Sequence, residues 1–164
     1  MRTLFIILTL TVFLLGCSSG AVTKQDIEMA AKELDFGDQK SSTLTNKAWE
    51  ALEDRNFAEA LAYTQRTEKL YGDEAKRMNS GLTDFPMMEQ AFDYWALNDV
   101  GTSKYIAAQA YVEMDMYAEA ADAYQTLHDD YRYSQCWDPK GWFWKPSWGA
   151  ANKAKDLRLK SKRN

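Results

Sequence analysis

The residue types in this chain best suited to chemistry are its tryptophans, and four of the six, Trp137, Trp142, Trp144 and Trp148, fall between Cys136 and Trp148. Rings at this density serve one of three ends. Folded over a helical stack with Phe143 as a hydrophobic cap, they bury on the order of 150–250 Å² each; left accessible, they anchor a protein interface; laid flat, they form a platform for the sugar rings of peptidoglycan or another glycan. Lys140 and Lys145 would serve that platform as donors or cation–π partners. If the segment is extended, Trp142, Phe143 and Trp144 alternate in direction and cannot all turn inward. Covalent chemistry has less to work with. A single histidine, His128, excludes every site that needs two, and no nucleophile motif, zinc signature or glycine-rich phosphate loop is present. His128, Asp129 and Asp130 read as solvated polar residues near a helix end, and any carboxylate pair chosen for glycan cleavage from 24 acidic residues would be arbitrary. No catalytic, metal or cofactor site is expected.

The two cysteines have different settings. Cys17 follows Leu14, Leu15 and Gly16 at the end of an apolar run that begins just after Arg2. A run of about twelve apolar residues is too short to span a bilayer, which takes roughly twenty, and its layout is that of a secretory leader. The leader resembles that of bacterial lipoproteins, whose lipobox ends in cysteine. The resemblance implies removal of residues 1–16, acylation of Cys17, a tether over 17–22 and attachment to the membrane through lipid. Ser18, where aspartate would hold a lipoprotein at the inner membrane, implies the periplasmic face of the outer membrane. Cys136 is then left without an intramolecular partner, and its options are a buried thiol or a bridge to another molecule.

Composition fits one globular domain over residues 23–164: 46% hydrophobic, 27% charged and an unusually high 13% aromatic. The formal net charge is -4, yet Lys153, Lys155, Arg158, Lys160, Lys162 and Arg163 crowd the C-terminus against Asp156 alone. The body is therefore strongly acidic. That balance excludes nucleic acid as a partner, since binding it needs a basic face on the folded domain; the basic tail suits a helix C-terminus or a contact with anionic lipid.

Positioning falls to helices. Apolar residues recur at helical spacing almost throughout, so the fold class is all-α. Thr23 to Asp26 caps a first helix that ends at Phe36–Asp38. A second carries Leu44, Ala48, Ala51 and Leu52, and Asn56 with Glu59 reads as a capping box for a third that stops at Gly72. A short helix over 73–80, a break over 81–86 with Pro86 in the next helix's first turn, and a stripe of Met88, Ala91, Phe92 and Trp95 follow. Residues 98–102 read as a loop and cap before a helix bearing Ala107, Ala110 and Tyr111. The next helix runs from Tyr117 to Leu127. Residues 133–149 read as irregular, and a last helix spans about Trp148 to Leu159.

One motif occurs twice: Asn56-Phe57-Ala58-Glu59-Ala60 and Met116-Tyr117-Ala118-Glu119-Ala120, each preceded by a helix with a small residue nine positions before the aromatic, Ala48 and Ala108. Small residues let antiparallel helices approach, and the aromatic plugs their turn. This resembles the tetratricopeptide (TPR) repeat over about residues 41–160. The copies stand 60 residues apart rather than one or two units of 34, Thr64 replaces an expected aromatic, and a divergent helical pair within 72–100 would fill the gap. The resemblance implies a short superhelix of helical hairpins whose first helices present a groove, with Trp49 and Tyr105 on it. It makes the chain a noncatalytic, lipid-anchored adaptor that binds another envelope protein. The alternative is a peptidoglycan- or glycan-binding module using the Trp-rich loop, and a glycan-cleaving enzyme stands third.

Overall fold

The computed structural model describes residues 22–163; Cys17 and the leader before it lie outside the described residues. Among the described residues six α-helices carry the fold, as the periodicity predicts: α1 (Lys24–Glu33), α2 (Ser41–Glu53), α3 (Phe57–Ser80), α4 (Trp95–Glu113), α5 (Tyr117–Asp130) and α6 (Ala150–Ser161). A 3-10 turn over Gln90–Tyr94 leads into α4. A two-stranded hairpin, β1 (Cys136–Asp138) and β2 (Trp142–Trp144), precedes α6. None of the described helices is long and apolar enough to cross a membrane.

α1 opens at the predicted cap. Thr23 Oγ1 accepts from the Asp26 N–H at 3.2 Å, and the Asp26 carboxylate accepts from the Thr23 N–H at 2.7 Å, so two donors free at a helix start are satisfied reciprocally. Ile27 then buries with Leu61 and Ala62 of α3 and Ala107 and Ala110 of α4.

The repeated motif makes the same turn twice. In the first, the Asn56 N–H donates to the Ala51 carbonyl at 2.8 Å and the Arg55 N–H to that of Leu52 at 3.1 Å. In the second, Met116 donates to Tyr111 at 2.9 Å and Asp115 to Val112 at 3.1 Å. Arg55 and Asp115 sit in the left-handed region at φ 62° and 59°, which closes the preceding helix. The backbones that open α3 and α5 are almost identical, at φ/ψ −85/68° and −84/67°. The Asn56 side chain makes no capping bond, so the box expected with Glu59 does not form. Backbone bonds hold both turns, and Met116 therefore serves as well as Asn56. Alanines then let the helices close up: Ala48, Ala51 and Ala60 pack with Leu44, Tyr63 and Ile106, and Ala108 and Ala123 with Leu97, Tyr124 and Leu127.

Two glycines read as breaks lie inside helices. α3 passes through Gly72 to Ser80, and Ala75 beyond it packs in one cluster with Tyr131. A helical glycine costs about 1 kcal/mol relative to alanine, less than tertiary packing returns. The spacing of the two motifs therefore comes from the extra turns of α3, the segment 81–89 and the 3-10 turn, with no further helical pair. Pro86 lies in that segment and not in a helix's first turn. Of the predicted stripe only Ala91 is buried; Met88, Phe92 and Trp95 are exposed.

α4 runs unbroken through residues 98–102, contrary to the predicted loop. Gly101 is required there by contact rather than by backbone angle, because a Cβ on it would lie 2.3 Å from both Cβ and Oγ of Ser134. Residues 133–149, expected to be irregular, contain the hairpin. The side of α5 away from α4 is covered by α6, whose Ala150 and Ala154 join Tyr124 and Leu127. The cap expected from the tryptophans is thus supplied by a helix, and the rings are free to lie elsewhere.

Gly101→Ala is expected to destabilise the chain by about 1–3 kcal/mol, the usual cost of overpacking. Adding Ser134→Gly, which removes both clashing atoms, restores most of the loss. Chemical denaturation of the single and double variants measures this, and an unaffected single variant would show that the two segments are not in contact.

Candidate functional site

The hairpin is built by its turn. Asp138 accepts from the Lys140 N–H through Oδ1 at 2.8 Å and from the Gly141 N–H through its carbonyl at 2.9 Å, and Gly141 takes φ 97°, which favours glycine. The register pairs Cys136 with Trp144, Trp137 with Phe143 and Asp138 with Trp142. Paired residues share a face. Trp137 and Phe143 therefore lie on one side, and Cys136, Asp138, Trp142 and Trp144 on the other.

Its root is fixed to α4. The Asn98 amide donates to the Ala91 carbonyl at 2.6 Å, and its oxygen accepts from the Gln135 N–H at 2.8 Å. The Gln135 side chain donates in turn to the Pro86 carbonyl at 2.8 Å. One asparagine thereby joins the 3-10 turn, α4 and the hairpin.

Each face of the hairpin meets a separate set of rings. Trp144 stands edge-on to Tyr105 of α4 at 5.0 Å and to Trp49 of α2 at 6.3 Å, with Trp49 and Tyr105 at 6.1 Å from each other. On the other face Trp137, Phe143 and Phe92 form a triangle with centroids 5.0–5.9 Å apart. The edge-to-face pairs among these, Trp144 with Tyr105 and Trp49 and Phe143 with Phe92 and Trp137, are worth about 0.5–1.5 kcal/mol each beyond their burial. Between Trp49, Tyr105 and the Trp142–Trp144 face opens a cleft of about 700 Å³, with Glu53 and Asp138 at its rim. A smaller pocket of about 290 Å³ adjoins it, sharing Asn46, Trp49, Cys136 and Trp137.

The predicted site residues are thus largely brought together. Trp49 and Tyr105 come from the first helices of the two hairpins, and Trp137, Trp142 and Trp144 reach them from far along the sequence, about ninety residues away in the case of Trp49. Trp148 does not join them. It is 72% exposed, with the Lys145 ammonium 5.2 Å from its ring and 4.0 Å from that of Phe85. No local motif marks Asp99, whose segment 98–102 reads as a loop in sequence. Trp95, Asp99 and Thr102 recur at helical spacing and line the smaller pocket, and that periodicity was the available signal.

Three titratable groups are perturbed here. The Asp138 carboxyl is held below its ordinary range by the Lys140 N–H and the Trp142 side chain. Burial raises the Cys136 thiol. Burial also raises Asp99 above its ordinary 3.8, opposed by a hydrogen bond from the Ser41 hydroxyl. No protein-family model, curated protein or solved structure matches this chain.

Folded Asp99 holds its proton more tightly than the unfolded chain does. Its effect on stability is most favourable below pH 3.8, where both states are protonated, and is lost as pH rises through the raised folded value. Asp99→Asn, which can still accept from Ser41, is expected to melt above the wild type at pH 7 and level with it at pH 3. Thermal scans at the two pH values check this; equal midpoints at pH 7 would show that Asp99 carries no such cost.

Proposed function

We propose that this chain is a noncatalytic, lipid-anchored adaptor on the periplasmic face of the outer membrane, a TPR-like scaffold whose aromatic cleft holds a segment of another envelope protein. The observation that carries the reading is the meeting of Trp49 and Tyr105, from successive helical hairpins, with Trp142 and Trp144 around one open cleft. The apolar surface continues beyond it. Phe92 and Trp95, which line the adjoining pocket, are substantially exposed, as are Met87 and Met88 a few residues earlier in the chain, and exposed apolar residues beside a cleft mark interaction sites. Methionine is well suited to a protein contact because its unbranched thioether adapts to an irregular surface. Attachment through Cys17 would confine the cleft near one membrane and raise its effective concentration there.

The glycan-binding alternative draws its support from Trp142, a ring 55% exposed with Asp138 and Glu53 on the same cleft. Against it, Trp144 stands edge-on to both Tyr105 and Trp49, and these two are tilted to each other, so the three do not form one flat face. In-cell photocrosslinking from position 142 is expected to trap an envelope protein, and Trp49→Ala is expected to abolish the adduct. Titration of the chain with muropeptides is expected to leave its tryptophan emission unchanged. A muropeptide response lost in Trp142→Ala and Trp144→Ala would transfer the function to glycan binding. Turnover of labelled peptidoglycan by the pure protein would overturn both readings.

A further inference from the structure

The smaller pocket beside the cleft has a chemistry of its own. Its aromatic lining, Trp49 from α2, Trp95 and Phe92 from the start of α4 and the turn before it, and Trp137 and Phe143 from the hairpin, is interleaved with uncharged polar residues such as Thr45, Asn46 and Thr102. Asp99 lies among them, and no lysine or arginine is among the described residues that line the pocket. Within the protein, the group favouring Asp99's charged form is the Ser41 hydroxyl, bonded to Oδ2. A carboxylate can accept several hydrogen bonds, so Oδ1 remains available. Gln135 adds a second acceptor, since its amide nitrogen is committed to the Pro86 carbonyl and its oxygen is free of that bond.

An aromatic enclosure with a carboxylate and no cation of its own has the electrostatics of a cation site. Ring faces carry negative potential and attract a desolvated ammonium. A guanidinium binds carboxylate best through both oxygens. One oxygen of Asp99 already serves Ser41, and that favours a compact ammonium. We propose that this pocket binds the side-chain ammonium of a lysine carried by the protein segment that occupies the adjoining cleft, with Asp99 as counterion. The inference rests on the adaptor reading for the origin of that lysine, while the pocket's preference for an ammonium can be tested alone. The two cavities share Asn46, Trp49, Cys136 and Trp137, so a segment lying in the larger one passes the mouth of the smaller.

The test uses the full chain purified in detergent and three capped amino acids, N-acetyl-lysine methylamide, its Nε-acetylated form and N-acetyl-norleucine methylamide, titrated against tryptophan emission. The lysine compound is expected to bind roughly tenfold or more tightly than either neutral analogue, and Asp99→Asn is expected to remove that preference. Equal response to all three compounds, or a lysine preference that survives Asp99→Asn in a variant with an unchanged circular dichroism spectrum, would overturn the proposal. The crosslinked adduct from position 142 separates the two inferences. If the adduct forms and the lysine preference is absent, the pocket proposal fails and the adaptor stands. If the preference is present and no adduct forms, the ammonium site stands and the adaptor reading fails with its assignment of the lysine to a protein partner.

Discussion

The aromatic face depends on the way the hairpin is rooted on α4. A three-residue strand pair has too few ladder bonds to hold a position by itself, and the Trp142–Trp144 strand would be free to swing without a second attachment. Asn98 supplies one by binding the Gln135 backbone with its oxygen and the Ala91 backbone with its nitrogen. Gly101, three residues further along the helix, supplies another by letting Ser134 come into direct contact with the helix backbone. Asparagine and glycine are both poor helix formers, and α4 carries them because the hairpin is seated there. Once the root is fixed, the pleat alone decides which rings meet α2 and which meet Phe92.

The two helical hairpins show how a repeat persists when its side chains drift. The left-handed residue and the paired backbone bonds after it recur at Arg55 and Asp115, although the side chains share no chemistry. What differs has consequences in the packing. Tyr124 of α5 is buried between Tyr105 and the Gln109 amide, which donates to its hydroxyl at 2.7 Å. The equivalent position in α3 is Thr64, which turns its hydroxyl back to the Leu61 carbonyl and leaves a recess of about 180 Å³ against α4. The second hairpin, with its buried Tyr124, is the one onto which α6 closes.

Helix content, both interhelical turns and the gathering of Trp49 and Tyr105 were legible in sequence because each rests on local spacing. α4 was not. Its residues are small or apolar on nearly every side, since it packs against α2, α3, α5 and the hairpin, and a helix buried all round has no polar face to set its period. Against that uniform background Asn98 and Gly101 looked like punctuation. The hairpin was hidden for a related reason. Both of its faces carry aromatic rings, so the alternation that marks a half-buried strand is missing, and its strands are three residues long. Trp148 is near the other tryptophans in sequence only, because Pro146 and Ser147 are buried just before it and turn the chain toward α6.

Folding does not account for an acid at Asp99. A neutral side chain of the same shape would keep the Ser41 bond and avoid placing a charge among rings, and a buried charge is stabilising only when paired and hydrogen-bonded. The acid instead stands at the junction of every element that shapes the cleft: Thr45 of α2 bonds its carbonyl at 3.3 Å, its own helix carries Asn98 and Gly101 on either side, and Cys136 of the hairpin lines the same pocket. A counterion arriving from outside would relieve the burial cost at the point where α2, α4 and the hairpin converge. A ligand that supplied this counterion would couple its own binding to the rigidity of the site through one carboxylate, because it would satisfy a charge that otherwise costs stability.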